Sequence, residues 1–149
     1  IKATPSLVVG YMDQALDFVP EKLSPFDFIS ALGQGDQRTR SLLAAAGIDP
    51  DAHRTSGARL SHGQRARLGL LALRLMEPNF YLLDEPTNHI DIAGQEALAA
   101  EIIEHDASCV LVSHDRAFVR DVSNRFVVIE RGRLIEADDP EGFFAAMGA

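Results

Sequence analysis

The second half of this chain has a rhythm that limits its folds: short apolar runs alternate with longer stretches of helical spacing. Residues 80–83, 109–112 and 126–130 are apolar runs of the kind found in strands buried on both faces. Between them, residues 93–104 and 115–122 carry apolar positions at helical spacing. That strand–helix–strand–helix–strand order predicts an α/β fold with parallel pairing and right-handed crossovers. Gly132 permits a turn between residues 126–130 and 133–136, so a small antiparallel C-terminal hairpin is expected. Phe143, Phe144 and Met147 would pack a last short helix onto it.

The first half reads differently. Residues 7–11 form one β-leaning run, leading into Gln14 and a loop punctuated by proline. From Ser24 to Met76 the pattern is helical. Ser24 suits an N-cap with Pro25 at the first helical position, and Gly47 stands where a helix over residues 42–46 would end. Residues 63–77 hold Leu, Ala and Arg with few breakers and stop before Pro78. The 149 residues suit one domain, divided into a first strand and loop (1–23), a helical subdomain (24–77) and an alternating core with its hairpin (78–149). A hydrophobic fraction of 46% can build a core.

No apolar stretch approaches the ~18 residues of a membrane span, since Arg74 interrupts even the Leu-rich residues 70–76; direct membrane insertion is not expected. Cys109, the single cysteine, cannot form an internal disulfide, and no Cys/His spacing resembles a zinc site. The net charge of −8 argues against an autonomous nucleic-acid binder. Arg65, Arg67 and Arg74, at helical spacing, read as a basic stripe: a docking patch or simply a solvated helix face. No secretory signal opens the chain, which makes the cytoplasm the expected compartment. The first residue, Ile1 rather than Met, suggests a piece of a longer protein.

The chemistry gathers where the runs end. Ligands of open parallel sheets collect at the carboxyl ends of the strands. Residues 80–83 run into Asp84 and Glu85, and residues 110–112 run into Ser113, His114 and Asp115. Neighbouring strand residues point in different directions, so Asp84 and Glu85 can serve different tasks. One could hold a hydrated Mg²⁺, and the other could orient or deprotonate a water. Taken alone, the pair could equally open a surface turn before Pro86. Ser61 and Gly63 offer a hydroxyl and unobstructed N–H groups at a helix start, an anion-binding arrangement that is also the form of an ordinary cap.

In combination these segments resemble the ATP-binding cassette (ABC) ATPases. The segments are Leu60-Ser61-His62-Gly63-Gln64, then residues 80–91 through Asp84-Glu85-Pro86-Thr87-Asn88-His89-Ile90-Asp91, then Val112-Ser113-His114-Asp115-Arg116. The last two are most similar to the ABC-F subfamily, soluble paired-cassette proteins that act on ribosomes. The likeness covers residues 10–144. It implies part of the P-loop NTPase fold of the family: a parallel sheet flanked by helices, a helical subdomain and a C-terminal β-hairpin.

The resemblance also implies roles. Gln14 would be the Q-loop glutamine sensing Mg²⁺ and the attacking water, and Asp84 the Walker B aspartate on Mg²⁺. Glu85 would be the catalytic base and His114 the switch histidine that touches the γ-phosphate. Ser61, Gly63 and Gln64 would belong to the signature offered to ATP held by a partner cassette, and Asp91 to the D-loop that communicates across the pair. Cofactors would be ATP and Mg²⁺. Partners would be a second cassette and the ribosome with its rRNA, or, if the chain served a transporter, a transmembrane subunit.

Two departures stand out. His62 occupies a signature position where the family usually has Gly. A Walker A loop needs a Gly-rich turn ending in Gly-Lys-Ser/Thr, yet Lys2 is followed by Ala3 and Lys22 by Leu23, neither after a Gly. In the family this P-loop precedes the Q-loop, so it is expected before Ile1, and residues 1–149 alone are expected to be a poor ATPase. The interval from Gln14 to Leu60 has no room for an extended helical arm, which points to a second, C-terminal cassette.

Overall fold

The computed structural model describes residues 4–88, 90–104, 108–137, 141, 142 and 144. Three strands, β1 (Val9–Met12), β2 (Phe80–Asp84) and β3 (Ser108–Val112), form a parallel sheet in the order β1-β2-β3. Gly10 pairs with Tyr81 and Tyr81 with Cys109, so side chains in register share a face across all three strands. Two further strands, β4 (Phe126–Glu130) and β5 (Arg133–Ala137), make a separate antiparallel hairpin. At its turn Arg131 and Gly132 both have positive φ, 48° and 76°, the backbone that a two-residue hairpin turn of the right twist requires.

Between β1 and β2 lies the helical subdomain: α1 (Pro25–Ser30), α2 (Asp36–Ala45) and α3 (His62–Met76), with single 3₁₀ turns at Pro50–Ala52 and Gly57–Arg59. Ser24 caps α1, its hydroxyl accepting from the Asp27 N–H at 3.1 Å. Gly47 takes φ 69° just after α2, and the Gly47 and Ile48 amides return to the Ala44 and Leu43 carbonyls. Helix α3 ends in a left-handed Glu77 and turns through Pro78 into β2. A Cβ on Gly10 would stand 2.8 Å from the Pro78 ring, so only glycine lets β1 pass this close to the α3–β2 turn. Helices α4 (Ile92–Glu104) and α5 (Arg116–Val122) connect β2 to β3 and β3 to β4.

The two faces of the parallel sheet differ. One carries Gly10, Met12, Tyr81 and Leu83, all buried against α3 and α4 within the core. The other carries Val9, Tyr11, Val110 and Val112, which are 38%, 51%, 52% and 56% exposed. Strands buried on both faces were expected; one face is open instead, because the described helices that pack on the sheet lie on the opposite side. The expected parallel pairing of residues 126–130 also fails. Among the described residues that segment pairs only with β5, and a cleft of about 810 Å³ lies between β3 and the segment leading into β4, lined by residues 108–111, 122–125 and Val127. An apolar run fixes a strand, but the neighbour it pairs with depends on what fills the space beside it.

The first strand begins at Val9 rather than residue 7, because the Leu7 and Val8 amides are taken by the Thr4 carbonyl and the Asn79 side chain. Of the expected terminal helix, Phe143 and Met147 lie outside the described residues. Phe144 is buried, with the Arg116 and Arg120 guanidinium groups 5.4 and 5.7 Å from its ring centre.

Candidate active site

Strand alternation places Asp84, the last residue of β2, on the open face, where it is exposed. Glu85 breaks the alternation. It adopts φ 49°, a left-handed backbone that is unfavourable for a residue with a long side chain and that clusters at functional sites. The Glu85 N–H donates to the Val112 carbonyl at 2.8 Å, keeping the turn stitched to β3. The carboxylate swings to the residues that follow β3: Oε2 accepts from the His114 N–H at 3.2 Å, and Oε1 lies 3.4 Å from His114 Nε2. This second contact becomes an ion pair only when the imidazole is protonated.

Burial divides the pair. The Glu85 carboxylate is 11% exposed and the His114 side chain 79%. Oε1 is buried and accepts no hydrogen bond, its approach to Nε2 being out of hydrogen-bond geometry. A carboxylate held on one oxygen by a backbone amide and left unsatisfied on the other is prepared to accept a proton from, or orient, a small polar molecule. Asp84, Glu85 and His114 therefore converge at one end of two adjacent strands. Gln14 is exposed two residues beyond β1, whose last residue Met12 pairs with Leu83. It stands at the same sheet edge, on the far side of β2. Asp115 caps α5, accepting from the Phe118 N–H at 3.1 Å.

Ser61 and Gln64 form a different unit. The Ser61 hydroxyl accepts from the Gln64 N–H at 3.2 Å, and the Gln64 side-chain oxygen accepts from the Ser61 N–H at 2.9 Å. This capping box fixes the start of α3 and leaves Gly63 and the exposed His62 within its first turn. Arg65, one turn on, donates to the Leu16 and Val19 carbonyls at 3.1 and 3.0 Å. It thereby ties the start of α3 to the loop that holds Gln14. Asp91 caps α4, accepting from the Gly94 N–H at 2.9 Å, and pairs with Arg67 Nη1 at 3.2 Å. Its neighbour His89 lies outside the described residues.

The arginines read from the sequence as one stripe do not share one face. Two residues advance a helix by about 200°, so Arg65 and Arg67 point to opposite sides. Arg67 reaches Asp91 and the Gly47 carbonyl, and Arg74 pairs with buried Glu101 at 2.8 Å. Counting the turn angle between successive arginines would have revealed this.

Among the described residues, no three His, Cys, Asp or Glu side chains gather as a self-sufficient metal cage, and no helix is long and apolar enough to cross a membrane.

The ABC transporter family model matches residues 2–88. The ATP-binding protein Uup of Caulobacter vibrioides is 34% identical over 134 residues, covering 90% of this chain and 21% of the relative. The ATP-binding cassette sub-family F member 3 of Rattus norvegicus is 36% identical over 106 residues, covering 71% of this chain and 15% of the relative. The chain thus spans about a fifth of the length of such relatives. In fold it is similar to a dimeric post-hydrolysis ATP-binding cassette, MJ0796, bound to ADP and Pi, with a TM-score of 0.68 at 19% identity over 88% of this chain and 62% of that one. The likeness to an RNase-L inhibitor has a TM-score of 0.69 at 24% identity, over 99% of this chain and 32% of that one. A family model spanning more than half the residues and relatives at least a third identical agree: this chain belongs to the ABC transporter family and is similar to its F-type ATP-binding proteins.

Proposed function

We propose that residues 1–149 are the larger, P-loop-less part of an ATP-hydrolysing cassette in a soluble, cytoplasmic ABC-F-type protein that acts on the ribosome. The observation that carries this reading is the Glu85–His114 pair, a strained, nearly buried carboxylate with one unsatisfied oxygen beside an exposed imidazole. In-line attack of water on the γ-phosphate of ATP needs little covalent chemistry from the protein; positioning and charge stabilisation supply the rate. Glu85 Oε1 would accept a hydrogen bond from the water and draw off its proton as the new P–O bond forms and the bond from the γ-phosphorus to the β,γ-bridging oxygen breaks, releasing ADP. Its other oxygen stays on the His114 amide, so the acceptor does not wander. His114, free to turn toward solvent, would donate to a γ-phosphate oxygen.

The donor set fits Mg²⁺, which takes hard oxygen ligands and rarely more than one or two carboxylates besides phosphate. Asp84, exposed on the open face, and the Gln14 amide oxygen would hold it. Bound there, the ion would offset phosphate charge. Ser61, Gly63 and Gln64 would face the ATP of a second cassette, and Asp91 would lie at the seam. The P-loop strand would come from polypeptide outside residues 1–149. Among the described residues the outer edge of β3 pairs with no strand, and the adjoining cleft of about 810 Å³ leaves room for it.

The reading is tested by measuring Mg²⁺-dependent ATP turnover in the intact polypeptide and in residues 1–149 alone. Turnover is expected from the first and not from the second. An intact protein that neither binds nor hydrolyses ATP, or a 149-residue chain as active as the whole, would overturn it. Loss of ribosome association on ATP depletion checks the assignment to ribosomes, and co-purification with a transmembrane subunit would replace it.

A further inference from the structure

Behind the sheet, α3, β2 and α4 meet in a buried polar cluster that the proposed handling of ATP does not use. Glu101 is 5% exposed and sits among the core residues Leu98 and Ile102. Its Oε1 accepts from the Tyr81 hydroxyl at 3.1 Å, and its Oε2 pairs with Arg74 Nε at 2.8 Å. Burial and the Glu101 carboxylate both push the Tyr81 hydroxyl far above the usual phenol range, so it stays a donor. A buried charge is costly, and a leucine would fill the same place without that cost. What the polar trio adds is direction: apolar contacts let a helix slide or roll on a sheet, whereas two bonds to one carboxylate fix its register.

Each member belongs to an element that ends in a site motif. Tyr81 lies three residues before Asp84 on β2, Arg74 is on the helix that Ser61 caps, and Glu101 is on the helix that Asp91 caps. Arg67, two turns before Arg74 on the same side of α3, makes the second tie, to Asp91. Between the two arginines is a cavity of about 350 Å³ lined by Leu70, Ala93, Gly94 and Ala97. Ionic ties join α3 and α4 at both ends of that stretch.

From this we infer that Tyr81, Arg74 and Glu101 are positioning residues: they lock the α3–α4 pair to β2, holding Asp84, Glu85 and Asp91 in fixed relation to the signature turn. The inference rests on the reading of those residues as ATPase parts.

Two variants of the intact polypeptide test it. Glu101→Leu removes the bonds to Tyr81 and Arg74 at similar volume, and Tyr81→Phe removes one hydroxyl. Both are expected to keep the wild-type melting temperature within a few degrees. ATP turnover should fall about tenfold in Glu101→Leu and about threefold in Tyr81→Phe, through kcat with KM for ATP nearly unchanged. Nucleotide-free hydrogen exchange of residues 84–95 should quicken in both. Wild-type kcat and unchanged exchange in the two variants would overturn the inference and leave the cluster a plain stabilising contact. If the unmodified protein shows no ATP turnover, the functional reading fails, and the exchange rates alone decide the positioning role. Should Glu101→Leu not fold, Tyr81→Phe decides it.

Discussion

The two faces of the parallel sheet are built from the same strands and reach different states. On one, Tyr81 and Leu83 are 1% and 2% exposed beneath α3 and α4. On the other, Val110 and Val112 remain more than half exposed, with Asp84 at the strand end. The buried face holds the fold, and the open face ends in the exposed carboxylate of Asp84. The polar trio of Tyr81, Arg74 and Glu101 aside, substitutions should therefore separate: apolar changes behind the sheet should cost stability, and changes at the strand ends should cost turnover.

The largest effect expected is on turnover. Glu85→Gln keeps the size and the bond to the His114 amide but removes the proton acceptor. In the intact protein it should slow ATP hydrolysis by several orders of magnitude while ATP stays bound. Near-normal turnover in steady-state assays would remove Glu85 from the role of base. Melting temperature should hardly change, since Oε1 has no bond to lose.

Behind the sheet the pattern inverts. Leu83→Ala opens a cavity in a core position and should cost about 2–5 kcal/mol in denaturant unfolding. Val110→Ala, 52% exposed on the open face, should cost less than ~1 kcal/mol. Equal losses at the two positions would mean the faces are not as different as their exposure indicates.

Cys109 extends the comparison to the cleft. It lies on β3 facing the covered side while lining the space between β3 and β4, and burial pushes its thiol up to about 11. At pH 8 its alkylation should run roughly a hundredfold slower than that of a free cysteine, because only the thiolate reacts. The sign is that of an acid whose charged form is disfavoured: reactivity should climb as pH rises toward 11. Fast labelling at pH 8 would show the cleft region to be open to solvent.

Much of this architecture was legible in the residues, and the exceptions share a cause. β2, α3, α4, α5 and the hairpin were readable because Pro78, Gly132 and the cap residues Ser61 and Asp115 bound their apolar patterns. Asp84, Glu85 and His114 were readable as a group because each follows a run that ends abruptly in polar residues. What could not be read depends on partners distant in sequence. The burial of Glu101 requires Tyr81 and Arg74 from two other elements. The left-handed Glu85 follows from its tie to the Val112 carbonyl across the sheet. The separation of β4 from the parallel sheet depends on the space beside β3, which its own residues do not encode. Helical spacing alone made one stripe of Arg65, Arg67 and Arg74, where packing gives each a different target.

The smallest effect on stability accompanies the clearest effect on association. Val9 and Tyr11 on β1, the half-buried Phe80 and Leu82 on β2, and Val110 and Val112 on β3 make one apolar face, larger than isolated surface hydrophobes and of the kind that draws partners or copies together. Residues 1–149 prepared alone should self-associate in sedimentation experiments. Val110→Glu should weaken that association while leaving the unfolding midpoint nearly unchanged, because a half-exposed valine contributes little to the core and a carboxylate there stays hydrated. In the intact polypeptide, where this face would be covered by the P-loop segment, the same substitution should instead destabilise, since it would bury an unpaired charge. A loss of stability confined to the intact polypeptide would identify the open face as an internal surface of the whole cassette. A monodisperse monomer at high concentration, with Val110→Glu harmless in both, would show it to be an ordinary solvent face.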